Sequence, residues 1–274
     1  MPRHITINRR LALTAASVFA ALAIAGCGKQ EPASAPAASA APPAPAAARV
    51  LVVGTDAASP FESQNDKGEI VGFDIDVVKA VAQKAGFEVK FVNTPWEGIF
   101  NSLDQGDRDL LVSAITITDE RRQTMDFSQP YFDARQLIAV RNDAPIKSFE
   151  DLKPLKVGVQ NGTTGDEVVG KLLGKSSTAI KRFESTPLAL KELEAGGVQA
   201  VVADNGVVVH YLANNTAGGF KTVSDTSFPV EKYGIAVKRG NAELLARINQ
   251  GLEAIRADGT YAKIYASYFG SESK

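Results

Sequence analysis

A forked guanidinium, two isolated carboxylates and one indole stand in this 274-residue chain just after short apolar runs. Arg121 carries a planar cation able to grip a carboxylate through two parallel hydrogen bonds. Thr116 and Thr164 fall where backbone N–H groups are expected to be free. The second opens a helix whose dipole favours an anion. Asp204 follows a buried apolar run and is placed to accept from an ammonium group. Trp96 can form an apolar wall, and against a cationic side chain would add roughly 0.5–2 kcal/mol of cation–π attraction. An anion site, a cation site and a side-chain wall are what a free α-amino acid needs.

Each of these residues also has a simpler reading. Arg121, within Asp119-Glu120-Arg121-Arg122, could be a solvated charge at a helix start. Trp96 could be packing, Asp204-Asn205 a helix cap, and Asp56 the stabiliser of a turn. Gly162-Thr163-Thr164-Gly165 is weak as a phosphate loop, because it lacks the lysine of that motif. No single residue decides the matter.

The elements that must position them alternate between strand and helix. Val50 to Gly54 suits a buried strand. Asp74 or Asp76 is expected to cap a helix running to Gly86, with Val77, Val78, Val81, Ala82 and Ala85 on its apolar side. Val89 to Val92 and Leu110 to Ile115 read as further strands, with a helix near Glu97 to Gln105 between them. The rhythm restarts at Lys156 to Val159, with a helix around Asp166 to Leu173. Thr186-Pro187 reads as a capping residue and first-turn proline, and Ala200 to Ala203 as a buried strand. A strand at Gly234 to Val237 and helices near Ala242 to Arg256 and Tyr261 to Phe269 finish the chain. Such βαβ units imply largely parallel sheets, here in two α/β lobes of roughly one hundred residues each. Ligands in open α/β sheets gather at the carboxyl ends of strands, where the named residues lie.

The first 48 residues stand apart from that body. Arg3, Arg9 and Arg10 precede an uncharged run from Leu11 to Ala25, which is short for a membrane span and reads as an export signal over residues 1–26. Ile24-Ala25-Gly26-Cys27 resembles a lipobox, in which Cys27 becomes the lipid anchor. Cys27 is the only cysteine, so no internal disulfide or multi-cysteine metal site is expected. Residues 27–48 form a tether rich in Ala, Pro and Ser, with little to bury. Removal of residues 1–26 would take three of the 30 basic residues and none of the 31 acidic ones, leaving a net charge of about −4. No basic tract suggests nucleic acid as a partner, or membrane contact other than through the anchor.

Taken in order, the segments resemble a family. Val53-Gly54-Thr55-Asp56, Gly72-Phe73-Asp74-Ile75-Asp76 and Ile115-Thr116-Ile117-Thr118-Asp119-Glu120-Arg121 look like the bacterial extracellular solute-binding proteins, family 3. So do Asp126-Phe127-Ser128, Pro130-Tyr131 and Gly259-Thr260-Tyr261. The resemblance implies a two-lobed periplasmic-binding-protein fold of type II with the ligand cleft between lobes. Residues 49–130 and 234–270 would form the first lobe and residues 136–229 the second, with crossings near Tyr131 to Arg135 and Val230 to Tyr233. It further implies that Arg121 and the backbones of Thr116 and Thr164 hold an α-carboxylate. Asp204, helped by Ser113, would receive the α-amino group; Asp56, Trp96 and Gln160 would line the side-chain pocket, and Ala114 would belong to the same site. One departure is the loop Asp56-Ala57-Ala58-Ser59-Pro60-Phe61, a residue shorter than usual, so that Phe61 is not expected to stack on the ligand.

The resemblance is strongest to binders of basic amino acids, arginine first and lysine or histidine next, with glutamine as the alternative. It implies a monomer without cofactor or metal, in the periplasm or cell envelope, delivering a free amino acid to the permease subunits of an ABC importer. Two rivals share the scaffold: an enzyme of the cyclohexadienyl dehydratase type and a sensory module for a receptor. Against the enzyme, the body holds only His210 as an imidazole.

Overall fold

The apolar run at the start of the body forms an interior strand of a sheet. The structure, a computed structural model, describes residues 49–56, 58–216 and 218–270. The expected signal peptide, Cys27 and the tether lie outside the described residues.

Strand β1 (Leu51–Thr55) is followed by a small hairpin, β2 (Ser63–Gln64) and β3 (Ile70–Val71), then helix α1 (Phe73–Ala85). Next come β4 (Val89–Asn93), α2 (Trp96–Gln105), β5 (Leu110–Leu111) and β6 (Met125–Phe127). β4 and β5 flank β1 in parallel, as helical crossovers require. The helix cap expected of Asp74 or Asp76 is not made: Gly72 holds the N-cap position, and no side chain caps α1. Asp74 is instead fully buried, and its Oδ2 accepts from the Ala114 N–H at 2.7 Å. The strand expected over Leu110 to Ile115 is also shorter, since β5 ends at Leu111. The chain turns away at Ala114, whose φ of 46° is a left-handed conformation that costs an alanine energy. Its bond to Asp74 holds it there.

β7 (Phe132–Ala134) leaves this lobe, and β8 (Gln136–Arg141) enters the second. There follow β9 (Val157–Gln160), α3 (Thr164–Leu173), β10 (Ile180–Phe183), α4 (Thr186–Ala195), β11 (Ala200–Asp204), α5 (Asn205–Asn215) and β12 (Phe220–Val223). The sheet order is β10-β9-β11-β8-β12, with β8 and β12 antiparallel to their neighbours. Ala200 to Ala203 are all buried, as expected of a strand covered on both faces. The cap of α4 is Ser185 rather than Thr186; Ser185 accepts from the Leu188 N–H, while Thr186 turns its hydroxyl to Gln160.

The chain returns through β13 (Glu231–Tyr233), which pairs antiparallel with β7 so that two strands link the lobes. β14 (Ala236–Lys238) then joins the first sheet, giving the order β4-β1-β5-β14-β6, before α6 (Ala242–Ala257) and α7 (Thr260–Phe269). The strand expected at Gly234 to Val237 is thus displaced by two residues at its start. Both chain ends of the body pack in one core, where Val77, Val78 and Val81 of α1 meet Ile248 and Leu252 of α6. Phe61 is wholly buried there, with its ring edge-on to Phe73, Phe132 and Tyr233. Among the described residues no helix is long and apolar enough to cross a membrane.

Candidate functional site

The strands of both lobes deliver their carboxyl ends to one cleft. β1 ends beside Asp56, β9 at Gln160 and β11 at Asp204, and the chain after β5 supplies Ser113, Ala114 and Thr116. Counting its open mouth, the cleft spans about 490 Å³, and all nine residues singled out above line it: Asp56, Trp96, Ser113, Ala114, Thr116, Arg121, Gln160, Thr164 and Asp204. Ala58, Thr163, Thr186, Ala203 and Val207 complete the wall. Phe61 does not line it, and Ala58 occupies that side of the cleft instead.

Arg121 is no solvated charge. It opens a short 3-10 turn (Arg121–Gln123) and is only 9% exposed. One guanidinium nitrogen donates to the Thr116 carbonyl at 2.8 Å, and the other reaches the Gly162 carbonyl, in the opposite lobe, at 3.4 Å. The guanidinium carbon lies 5.3 Å from the Trp96 ring centre and 5.1 Å from that of Phe100, within cation–π range. Burial lowers its pKa, and the nearby carboxylates of Glu167, Asp204, Glu231 and Glu120 oppose that shift, so the side chain remains a cation.

Asp204 occupies the N-cap position of α5 but makes no cap bond with its side chain. Its Oδ1 accepts from Gln136 Nε2 at 2.6 Å and its Oδ2 from the Tyr233 hydroxyl. Burial and the charge of Glu231 raise its pKa to about 6, against the hydrogen bonds of Tyr233 and Gln136 and the charge of Arg121. At neutral pH it is an anion facing the cleft.

The remaining polar groups are tied in pairs. Gln160 Nε2 approaches Asp56 Oδ2 at 3.4 Å across the lobes, and the Asp56 N–H donates to Ser113 Oγ at 3.0 Å. The Ser113 hydroxyl donates in turn to the buried Glu62 at 2.7 Å. Thr116 forms a single antiparallel bridge with Tyr233, in which the flanking residues make the bonds: Gly234 N to Ile115 O and Ile117 N to Lys232 O. In such a pair the N–H and C=O of Thr116 point away from Tyr233. Thr163 caps α3 by accepting from the Asp166 N–H. The N–H of Thr164, at the first helical position, has no intrahelical acceptor and lies at the positive end of the helix dipole.

Beneath the floor, Glu62 and Asp74 are fully buried. Burial and the charge of Asp74 drive the Glu62 pKa well up, and burial brings Asp74 to about 7. The acids sit behind Ser113 and Ala114, which they hold through the bonds described above.

Sequence reasoning missed Phe100, Gln136, Glu231, Tyr233 and Glu62. Glu231 and Tyr233 share the buried face of a three-residue strand around exposed Lys232, an alternation too short to stand out. Phe100 lies four residues after Trp96 on α2, a spacing that places both on one helix face. Among the described residues no group of three or more His, Cys, Asp or Glu could hold a metal ion. His210 is partly exposed on α5, and burial lowers its pKa.

The profile of the bacterial extracellular solute-binding proteins, family 3, matches residues 51–271. The chain belongs to this family. A relative called a probable histidine-binding protein, from Neisseria gonorrhoeae, is 42% identical over 97% of this chain and 98% of its own length. The ABC transporter arginine-binding protein 1 of Escherichia coli (strain K12) is 34% identical over 77% of this chain and 86% of its own. The arginine-, lysine-, histidine-binding protein ArtJ of Geobacillus stearothermophilus superposes with a TM-score of 0.79 at 43% identity, covering 82% of this chain and 97% of that one. An ancestral arginine-binding protein bound to glutamine gives 0.76 at 45% identity, over 81% and 98%. A further structural neighbour, at 0.73, 40% identity and coverage of 80% and 95%, is an ancestral amino acid-binding protein described as a precursor of cyclohexadienyl dehydratase. The fold is therefore the two-lobed type II arrangement of this family, with its cleft between the lobes.

Proposed function

We propose that this protein captures a free basic amino acid, arginine foremost, outside the cytoplasmic membrane and presents it to the permease of an ABC importer. The observation that carries this reading is that Arg121 and Asp204 line one cleft with Asp56 as a second carboxylate. Arg121, with the N–H groups of Thr116 and Thr164, would take the α-carboxylate. Asp204 would take the α-ammonium, and Asp56, Gln160 and Trp96 the side chain. The Ser113 hydroxyl is engaged with Glu62 and the Asp56 N–H, so the main cation partner is Asp204. The histidine- and arginine-binding relatives support a cationic ligand.

The lobes would close about β7 and β13, the ligand bridging them and favouring the closed state that the permease recognises. A wrong side chain would leave Asp56 buried without its cation, at a cost of about 1–3 kcal/mol. Residues 1–26 would be removed on export and Cys27 acylated, leaving a monomer tethered in the periplasm or cell envelope.

A thermal-shift screen of the twenty amino acids tests this. A ligand at a hundredfold excess over its Kd adds about 2.7 kcal/mol of stability, and arginine, lysine or histidine is expected to give the largest shift. No shift with any amino acid would dispose of the proposal. Glutamine is the second reading, favoured by the Gln160 amide beside Asp56 and by the glutamine-bound neighbour. We read the protein as a binder rather than an enzyme, since Arg121 and Asp204 are both taken up by the two charges of the ligand; product from prephenate or arogenate would reverse that.

A further inference from the structure

Behind the anion end of the cleft stands a carboxylate that the proposed clamp does not use. Glu231 is 7% exposed on β13, the second linking strand. Its Oε2 accepts from Thr116 Oγ1 at 2.7 Å and from Thr164 Oγ1 at 2.8 Å, one hydroxyl from each lobe. Its Oε1 accepts from Gln136 Nε2 at 3.0 Å, and the same nitrogen reaches Thr164 Oγ1 at 3.1 Å and Asp204 Oδ1 at 2.6 Å. Two residues along the strand, Tyr233 bonds the other oxygen of Asp204. Glu231 lines not the cleft but a second, more open groove, whose wall also includes Thr116 and Thr164. The two threonines therefore stand between Glu231 and the cleft.

We propose that Glu231 is a positioning residue for the bound α-carboxylate: by fixing the hydroxyls of Thr116 and Thr164 from behind, it aims their backbone N–H groups into the cleft. The inference rests on the amino-acid reading above and deepens it. A carboxylate suits this place because all its facing partners are donors. A glutamine there would either turn its NH₂ toward Gln136 Nε2, donor against donor, or toward the two hydroxyls, which would then have to accept and would lose the acceptor for their own hydrogens. The strand period explains the rest. Glu231 and Tyr233 face inward while Lys232 pairs with Asp133 outside, so two residues of one short strand serve both ends of the site.

The test compares L-arginine with L-argininamide, which keeps the ammonium and guanidinium but lacks the carboxylate charge. Calorimetry on the wild type and on Glu231→Gln and Glu231→Ala gives the affinity ratio of the two ligands. The ratio is expected to fall about tenfold in Glu231→Gln and further in Glu231→Ala. Equal losses for both ligands would mark a residue that only supports the fold, and an unchanged or larger ratio would equally overturn the assignment. If Glu231→Ala does not fold, the isosteric glutamine variant decides alone. A wild type without preference for arginine would instead remove the amino-acid reading itself, and this inference with it.

Discussion

Gly206 of the second lobe rests against the ring of Phe61 in the first: a Cβ added at Gly206 would lie 2.8 Å from both Cε2 and Cζ. Phe61 cannot yield, because it is wholly buried among other rings. Gly206→Ala is therefore expected to hold the lobes apart and weaken arginine binding at least tenfold. Gly206 lies in the first turn of α5, where alanine is a better helix former than glycine by about 1 kcal/mol. The ligand-free melting temperature should not fall. Undiminished affinity in calorimetry would show that the contact does not matter for binding.

Arg121→Lys keeps the charge and loses the fork. Lysine can still reach the Thr116 carbonyl, so folding should survive, but it cannot hold a carboxylate through two parallel bonds. A loss of about 2–3 kcal/mol, roughly 30- to 150-fold in Kd, is expected by titration calorimetry. Wild-type affinity in this variant would remove Arg121 from the anion site.

Asp56→Asn separates the ligand readings. If Asp56 meets a guanidinium, arginine affinity drops by an order of magnitude or more while that for glutamine changes little. Equal losses for the two ligands favour glutamine as the natural solute.

The pH dependence of binding follows from Asp204, whose pKa is about 6. An ammonium group needs the ionised form, so affinity is constant above that value and weakens below it, by about tenfold at pH 5. Asp204→Asn should bind weakly and without that slope. A flat wild-type profile between pH 5 and 8 would contradict the role of Asp204.

Stability of the ligand-free protein runs the other way. The raised pKa values of Glu62, Asp74 and Asp204 mean that the folded state binds more protons than the unfolded one between about pH 4 and 7. Stability, and with it the melting temperature, therefore rises as pH falls through that window. Below it Asp151, Asp225 and Asp258, whose pKa values are lowered by hydrogen bonds, act in the opposite sense. Glu62→Gln relieves the buried repulsion and should flatten the slope; a melting temperature independent of pH in the wild type would refute this account.

Much of this molecule was legible in its sequence because both lobes repeat one local grammar. Apolar runs such as Ala200 to Ala203 are buried strands, and a polar residue at the carboxyl end of β1, β9 and β11 lands in the cleft. The errors have local physical causes. Asp74 reads as a cap from its place near the start of a helix, yet a bond to Ala114, forty residues on, takes it into the interior. Thr186 is preceded by a serine better placed to cap, which frees its hydroxyl for Gln160. Glu231 gave no signal at all, because its partners Thr116, Gln136 and Thr164 come from distant segments that only the folded chain brings together.

One tryptophan serves the whole sequence, and it borders the cleft with its ring beside the Arg121 guanidinium. All indole emission from this protein therefore originates within a few ångströms of the place where a solute would settle. Nature has supplied an optical reporter, and occupancy can be followed by intrinsic fluorescence without attaching any dye.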